Sequence, residues 1–280
     1  MIFEHEIPSG SKLYFGESAK IKREIEFVSA EMLDNFGFEE IVTPIFSYHQ
    51  EEAFDDKKPL LKLNDESNHQ VTLRADSTAD VVRIVTKRLG RSSASKKWFY
   101  IQPTLTFPTN ERYKIGAEII EGNFEEVAKT AIMILKEIEV EPIMQISNIC
   151  IPHILNEKYG VSLEILKSMN IEKIMELDLK WIEKLVHISS AKELEDLSFF
   201  PTEIKEELQK IKEVTKKIAY NKMVISPLFY AKMRYYDSLT FRMFEGNHLL
   251  AMGGIYTIDD VNASGFGIYT DECICSKMNS

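Results

Sequence analysis

A short run of charged and hydroxyl side chains stands where a predicted strand passes into a predicted helix. Residues 73–78 read Leu-Arg-Ala-Asp-Ser-Thr. Because the first turn of a helix presents unpaired N–H groups, an Arg, an Asp and a Thr at such a junction can bind a small zwitterion. The same spacing fits a simple cap, in which Asp76 or Ser77 accepts a hydrogen bond from the helix. Spacing alone favours the cap.

The other residues that could bind nucleotides or metals, or act as nucleophiles, are not spaced as the known motifs for those functions require. The sequence contains no P-loop, no GxGxxG, no GxSxG and no HExxH motif. No two of the histidines are four residues apart. Cys273 and Cys275 would share one face of a strand, but two thiols without companion ligands favour packing over metal binding. We expect neither a metal nor a cofactor.

A basic cluster occupies residues 87–97, with five Lys and Arg side chains. The cluster lies at the predicted C-terminal end of a helix. This position favours the interpretation that its positive charges complement the helix dipole. A phosphate or nucleic-acid patch is the alternative interpretation, and no interleaved aromatic residues support it.

The composition is that of a globular protein. The chain has 280 residues, 44% of them hydrophobic, and a net charge of −10. This charge argues against nonspecific attraction to nucleic acid or anionic membranes. No apolar run approaches the roughly 20 residues of a membrane-spanning helix, and the N-terminus lacks the pattern of a secretory signal. The odd number of cysteines implies no disulfide framework, so we expect a cytoplasmic protein without membrane contact.

Periodicity places the elements that must position these residues. Apolar residues at helical spacing, closed by Gly37, predict a first helix: Ile21, Ile25, Val28, Met32 and Phe36. A strand-like run follows over residues 39–46, and its Pro44 belongs at an edge or an interface. Residues 60–63 and 70–73 predict a hairpin. Ser77 and Asp80 resemble a capping box that opens a helix through Leu89.

The second half of the chain predicts more strands around a helical stretch. Strands are expected over residues 98–105, 115–120, 239–244, 248–258 and 265–274. A helix capped by Asn123 and Glu126 is expected after the second of these strands. We therefore predict an α+β fold with an antiparallel sheet flanked by helices. Residues 1–149 and 222–280 would form the core, and residues 150–221 a helical insertion.

The order of these motifs resembles the catalytic core of class II aminoacyl-tRNA synthetases, in the histidyl-tRNA synthetase branch. Residues 37–44 are similar to the first class II motif, residues 73–78 to the L-R-P-E-x-T amino-acid turn, and residues 98–103 with 113–120 to the second motif. Residues 234–245 resemble the R-G-L-D-Y-Y-T-G-x-V-F-E segment, residues 253–256 G-G-R-Y, and residues 265–268 the start of the third motif. The resemblance implies a class II synthetase-like fold.

Departures from these motifs argue against synthetase activity. Thr106 stands where the second motif has its ATP-binding Arg, and Glu272 or a neighbour replaces the Arg of the third motif. Adenylation places negative charge on a phosphoryl group in flight, and cationic donors stabilise that charge. From a length of 280 residues, we also expect no anticodon-binding domain of the kind that the synthetases carry.

What remains resembles the non-catalytic paralogue of the synthetase, the ATP phosphoribosyltransferase regulatory subunit family. The resemblance implies a regulatory subunit, not an enzyme, that binds and activates the short-form catalytic chain in the first step of histidine biosynthesis. Histidine is a candidate effector, and a homodimer within a hetero-oligomer is implied. The alternative hypotheses are an adenylating enzyme acting on another amino acid or a non-tRNA acceptor, and an RNA-binding remnant.

The resemblance also assigns residues to two sites. Asp76, Thr78, Arg234 and Glu118 match histidine-binding positions, and Ile41, Thr43, Pro44 and Ile45 match the dimer interface. Ser238 and Leu239 stand where the motif has paired tyrosines, Phe241 replaces a Gly and Ile255 an Arg. An altered or empty cleft is therefore an equally open interpretation of the histidine site.

Overall fold

The predicted first helix forms where its apolar stripe places it. The structure is a computed structural model that describes residues 6–52, 57–177, 179–231 and 233–279. Helix α1 spans Gly16–Asn35 and buries Ile25 and Leu33. Gly37 follows with a φ of 80°, a left-handed conformation that ends the helix. The periodicity prediction for this element is confirmed.

The remaining elements follow in alternation. The helices are α2 (Thr78–Arg83), α3 (Phe124–Glu137), α4 (Cys150–Tyr159), α5 (Leu163–Lys167), α6 (Ile171–Met175), α7 (Lys180–His187), α8 (Thr202–Ile218) and α9 (Thr270–Asn279). A π-helix over Ile84–Leu89 continues α2, and 3₁₀ turns cover Gln50–Glu52 and Ala191–Leu194. The described residues include no helix both long and apolar enough to cross a membrane.

The strands form two sheets. They are β1 (Glu39–Glu40), β2 (Phe46–Ser47), β3 (Lys62–Asn64), β4 (Gln70–Leu73), β5 (Lys97–Thr106), β6 (Asn110–Ile120), β7 (Ile143–Asn148), β8 (Met223–Ile225), β9 (Tyr236–Glu245), β10 (His248–Ile258) and β11 (Val261–Tyr269). The larger sheet has eight strands in the order β1-β5-β6-β11-β10-β9-β7-β8. Only its two outermost pairs, β1 with β5 and β7 with β8, are parallel. The predicted α+β class and the predicted hairpin, β3 with β4, are confirmed.

The two faces of the large sheet carry different kinds of side chain, because successive side chains along a strand point to opposite faces. One face carries Ala117, Ile146, Phe241 and Ile268 into the main hydrophobic core, together with α1, α3, α8 and α9. Helix α3 begins as predicted, with Asn123 Oδ1 accepting a hydrogen bond from the Glu126 N–H at 2.9 Å. The opposite face carries the polar residues of the candidate site and packs against α2.

The predicted helical stretch is present between β7 and β8. It contains α4 to α8, and α8 buries Ile204, Leu208 and Ile211. These side chains belong to the same core as Phe124 of α3 and Ile146 of β7. The helical segment is therefore packed onto the sheet through a continuous core, and its treatment as a separate insertion domain stays a prediction.

The single strand predicted over residues 39–46 is wrong. The chain instead makes two short strands, β1 in the large sheet and β2 in the small one. The exposed Pro44 lies between them, and its carbonyl oxygen accepts a hydrogen bond from Arg74 Nη1 at 3.2 Å. Because proline has no N–H to donate, the ladder breaks there and the chain changes sheets.

The strand predicted over residues 265–274 is also wrong in its second half. Strand β11 ends at Tyr269 and helix α9 begins at Thr270. Cys273 is buried against the core and Cys275 is exposed, so the two thiols do not share a face. Short apolar runs cannot distinguish a strand from a buried helix, and packing on α1, β6 and β10 selects the helix.

Candidate functional site

The turn between β4 and α2 is held by a buried glutamine that the sequence analysis did not identify. Gln50 Oε1 accepts hydrogen bonds from the Ala75 N–H at 2.9 Å and the Asp76 N–H at 2.7 Å. Its Nε2 donates to the Asp76 carbonyl oxygen at 2.8 Å and to Asp80 Oδ2 at 2.7 Å. One side chain therefore fixes the backbone that carries Asp76. No sequence motif marks Gln50, since its partners lie about 25 residues away.

The predicted capping box at the start of α2 is wrong. Ser77 makes no cap and accepts a hydrogen bond from Gln102 Nε2 at 2.9 Å. Asp80 is buried and accepts hydrogen bonds from Ser47 and Gln50. Burial raises the pKa of the Asp80 carboxyl, while these hydrogen bonds oppose the rise. Asp76 is the residue with a cap contact, because its Oδ1 lies 3.4 Å from the Ala79 N–H. Tertiary partners outcompete the local cap.

Arg74 belongs to the scaffold of the turn. The side chain is 3% exposed. Its guanidinium donates to the carbonyl oxygen of Thr43 at 2.8 Å and to that of Pro103 at 2.9 and 3.0 Å. These bonds tie the chain before β2 to strand β5, so the arginine is not available to a ligand carboxylate.

Glu118 lies beneath this turn with its carboxyl group fully buried. The Tyr100 hydroxyl donates to Oε1 at 3.0 Å, and the Tyr256 hydroxyl donates to Oε2. Burial raises the pKa of Glu118 to about 8, the charge of Asp76 adds to the rise, and the tyrosine hydrogen bonds oppose it. Burial of Glu118 therefore favours the neutral form of its carboxyl group.

Three of the four residues predicted to bind histidine meet at one cavity. Asp76, Thr78 and Glu118 line a space of about 60 Å³, together with Tyr100, Lys114, Met233, Tyr235, Tyr236, Met252, Tyr256, Gly265, Phe266, Gly267 and Tyr269. The exposed Arg234 instead lines a separate cavity of about 360 Å³ with Ala79, Arg83, Tyr235, Thr257, Ile258 and Asp259. Tyr235 lines both spaces. The structure thus brings three of the predicted residues together and places the fourth, Arg234, at a different cavity.

A larger cavity of about 380 Å³ adjoins the small one. Its walls include Thr106 and Glu272. The resemblance predicts that Thr106, and Glu272 or a neighbour, stand where the synthetase motifs have arginine. Glu272 lies 2.9 Å from His248 Nδ1. The basic side chains that line this cavity are Lys12, Arg112 and Lys114. The other acidic side chains that line it are Asp76, Glu111 and Asp271. Charge of both signs therefore lines the cavity.

Lys114 connects the two spaces, because it lines both. Its Nζ lies 3.9 Å from Asp76 Oδ2 and 5.4 Å from the centre of the Tyr269 ring. The guanidinium of Arg112 lies 4.7 Å from the same ring. These contacts fit a cation held between a carboxylate and an aromatic face.

The residues of the predicted dimer interface lie next to the turn, since Arg74 bonds the carbonyl oxygens of both Thr43 and Pro44. Thr43 is buried, and its hydroxyl accepts hydrogen bonds from Gln102 and Arg74. Ile41 is half-buried against the cluster that contains Trp98. Pro44 and Ile45 are exposed, alongside the exposed apolar side chains of Val42, Phe46 and Tyr48. An interface here would use the exposed set rather than Thr43.

The basic cluster at residues 87–97 is largely neutralised within the chain. Lys87 pairs with Asp259, Lys96 with Glu121, and Lys97 with Glu126 at 2.6 Å. Among the described residues, no group of three or more His, Cys, Asp or Glu side chains could hold a metal ion.

Comparison with known proteins shows which families this chain is similar to. The family model for histidyl-tRNA synthetase matches residues 15–272. The ATP phosphoribosyltransferase regulatory subunit of Wolinella succinogenes is 46% identical over 98% of this chain and 96% of its own.

Two solved structures share the fold. One, an ATP phosphoribosyltransferase regulatory subunit/histidyl-tRNA synthetase from Bacillus halodurans, superimposes with a TM-score of 0.85 at 20% identity, covering 99% of this chain and 84% of that one. The other, from the ATP phosphoribosyl transferase (HisG:HisZ) complex of Thermotoga maritima, has a TM-score of 0.65 at 18% identity, covering 89% and 97%. The chain therefore belongs to the ATP phosphoribosyltransferase regulatory subunit family, on the fold of histidyl-tRNA synthetase.

Proposed function

We propose that this chain binds a short-form ATP phosphoribosyltransferase catalytic chain and activates it in the first step of histidine biosynthesis. The observation that carries the proposal is the match over nearly the whole length of both chains to a regulatory subunit of that enzyme. The solved complex of Thermotoga maritima, which includes a chain of the same fold, supports a partner role.

The chain does not itself adenylate an amino acid, in this proposal. An adenylating site stabilises the charge of the transferring phosphate with fixed cations. Glu272 and Asp271 line the cavity in which such cations would be needed, and Thr106 carries no charge. Repulsion between these carboxylates and a nucleotide phosphate supports a regulatory role.

A reconstituted assay tests the activation. The purified chain is mixed with the catalytic chain of the same organism, and product formation from ATP and phosphoribosyl pyrophosphate is followed with and without histidine. The catalytic chain alone and the regulatory chain alone are the controls. We expect strong activation by the mixture and no turnover by the regulatory chain. If the two chains formed no complex and the catalytic chain were not activated, the proposal would be wrong.

An adenylating enzyme is the second candidate, and one observation favours it. Lys12, Arg112 and Lys114 supply positive charge to the 380 Å³ cavity from positions other than those of the two motif arginines. Amino-acid-dependent exchange of pyrophosphate into ATP would reveal this activity. We expect no exchange above the background of a catalytically dead control protein, and exchange with any amino acid would support the enzyme instead.

A homodimer and a histidine effector complete the proposal. The exposed apolar side chains at Val42, Ile45 and Phe46 support a self-association surface at the family's dimer segment. Asp76, Thr78 and Glu118 at one cavity support an amino-acid ligand, because Asp76 can pair with an ammonium group. Suppression of the activated rate by histidine in the reconstituted assay tests the effector.

A further inference from the structure

The large sheet presents exposed apolar side chains on one face of its β7–β9 end. The register pairs Ile143 of β7 with Phe244 of β9, Gln145 with Arg242, and Val224 of β8 with Gln145. Paired residues on neighbouring strands point to the same face, and the residues that alternate with them on β7 and β9 belong to the main core. These five side chains therefore lie on the face opposite the main core, where Ile143 is 48% exposed and Val224 39% exposed.

Arg242 is held at the centre of this face between two aromatic rings. The carbon of its guanidinium lies 3.6 Å from the centre of the Phe229 ring and 4.9 Å from that of Phe244. Its Nη2 donates to Gln145 Oε1 at 2.8 Å. Its Nε is buried and has no hydrogen-bond partner among the described residues. We call the surface formed by these residues the arginine patch, and its members are Ile143, Gln145, Val224, Phe229, Arg242 and Phe244.

The arginine patch carries a cation without a matching anion. Burial lowers the pKa of Arg242, and no carboxylate among the described residues opposes this shift. The acceptor that it does have, the amide oxygen of Gln145, is neutral. A charge that is partly removed from water without a paired opposite charge is unfavourable. A carboxylate brought by another molecule would therefore stabilise Arg242 and bind strongly.

The patch fits a protein partner that is not a second copy of this chain. Arginine and aromatic side chains are the types enriched at the centres of protein interfaces. Two copies that met through this patch across a two-fold axis would bring a second Arg242 to the first and no Asp or Glu. The partner that supplies the carboxylate is therefore a different chain.

The patch is also distant from the segment proposed for the homodimer. That segment follows β1, at one edge of the large sheet, whereas β7 lies near the other edge. At a strand spacing of roughly 4.8 Å, the six steps from β1 to β7 span about 30 Å. The patch is therefore free to bind a different chain while the homodimer forms.

We propose that the arginine patch is the surface on which the catalytic chain of the ATP phosphoribosyltransferase docks. A carboxylate of the catalytic chain pairs with Arg242, and apolar side chains around that carboxylate cover Ile143, Val224 and Phe244. The two aromatic rings orient the guanidinium before the partner arrives, which reduces the entropy lost on binding. The inference rests on the proposed function and names the contact surface that this function requires.

Substitutions in the patch test the docking. The short-form catalytic chain of the same organism is titrated calorimetrically into the unaltered chain, into Ile143→Asp and into Arg242→Gln. Met133→Asp is the matched control, because Met133 is 44% exposed and lies on α3, which packs against the other face of the sheet. We expect each patch variant to raise the Kd by about tenfold or more, since a charge enters an apolar contact or the carboxylate loses its cation. Met133→Asp should match the unaltered chain.

Urea unfolding establishes that each variant is folded, and Ile143→Asp decides the test if Arg242→Gln does not fold. Unchanged affinity of Ile143→Asp would overturn the docking surface. Loss of the homodimer in Ile143→Asp, measured by light scattering, would also overturn it, because the patch would then join two copies of this chain. Failure of the unaltered chain to bind the catalytic chain would overturn the proposed function itself, so the two failures are distinguishable.

Photo-cross-linking tests the same surface with Ile143 and Arg242 in place. The photoreactive residue p-benzoylphenylalanine is introduced at the position of Val224 or, as the control, at that of Met133, and the complex with the catalytic chain is irradiated. We expect a cross-link to the catalytic chain from position 224 and none from position 133. Equal cross-linking from both positions, or a cross-link from position 224 to a second copy alone, would contradict the proposal.

Discussion

The carboxyl group of Glu118 lies against the bare backbone of Gly265 on the neighbouring strand. The two residues are paired in the register of β6 and β11, and a Cβ atom on Gly265 would lie 1.8 Å from Glu118 Oε2. Real atoms do not approach so closely, so the absence of a side chain at Gly265 makes the space for the carboxyl group. The burial of Glu118, and with it the raised pKa, depends on this glycine.

Substitution of Gly265→Ala should therefore destabilise the protein. We expect a loss of about 1–3 kcal/mol in the free energy of unfolding, because Glu118 and its tyrosine partners must shift. Urea unfolding followed by circular dichroism measures the loss. Gly267→Ala is the matched control on the same strand, since its Cβ would find nothing nearer than Lys114 Cδ at 4.0 Å. Equal stability of the two variants would contradict this packing.

The protonation of Glu118 predicts a pH dependence of stability. Its pKa rises from the ordinary value of 4.5 to about 8 on folding, so the folded state binds the proton more tightly. The stabilisation is complete below pH 4.5 and is lost progressively as the pH rises to about 8, by an amount on the order of a few kcal/mol.

Glu118→Gln lacks this titration. Unfolding free energies measured between pH 5 and pH 9 should show the native chain losing stability relative to Glu118→Gln as the pH rises. Glu66→Gln, at an exposed position, is the control and should run parallel to the native chain. Parallel curves for Glu118→Gln as well would show that its carboxyl group titrates normally.

Arg74 should stabilise the turn, although its side chain does not line the cavities described above. Arg74→Lys removes the planar fork that bonds the carbonyl oxygens of Thr43 and Pro103, leaving buried acceptors without donors. We expect a loss of about 1–3 kcal/mol, measured by thermal or urea unfolding. Arg91→Lys, at an exposed position of the basic cluster, should change stability little. A loss no larger than that of Arg91→Lys would argue against the scaffold role.

The proposed dimer surface can be tested at Ile45 alone. Ile41 is unsuitable because it is half-buried in the fold, whereas Ile45 is 47% exposed. Ile45→Asp would place a charge in an apolar contact and should shift the mass measured by light scattering from dimer toward monomer. Met133→Asp, at a 44% exposed site on α3, is the control and should leave the dimer intact. An unchanged dimer in Ile45→Asp would place the interface elsewhere.

The periodic spacing of apolar residues was sufficient to predict most of the helices and strands. Helices α1, α3 and α8, the β3–β4 hairpin and strands β5, β6, β9 and β10 follow from apolar spacing and end signals, because these are properties of neighbouring residues. The errors fell at residues 39–46 and after Tyr269. There, a choice between sheets and a choice between strand and helix depend on packing partners remote in the chain.

The order of motifs in the amino-acid sequence also pointed to the family that the comparisons show, and it led to the prediction of Asp76, Thr78 and Glu118, which line one cavity. Only the tertiary structure decided which polar groups meet. Glu118 and Tyr256 are 138 residues apart, and Gln50 reaches the turn from outside every motif. The tertiary structure directed Arg74 into backbone contacts and placed Arg234 at a different cavity from Asp76. Such outcomes depend on side-chain direction and competing hydrogen bonds, which arise only when distant strands are brought together.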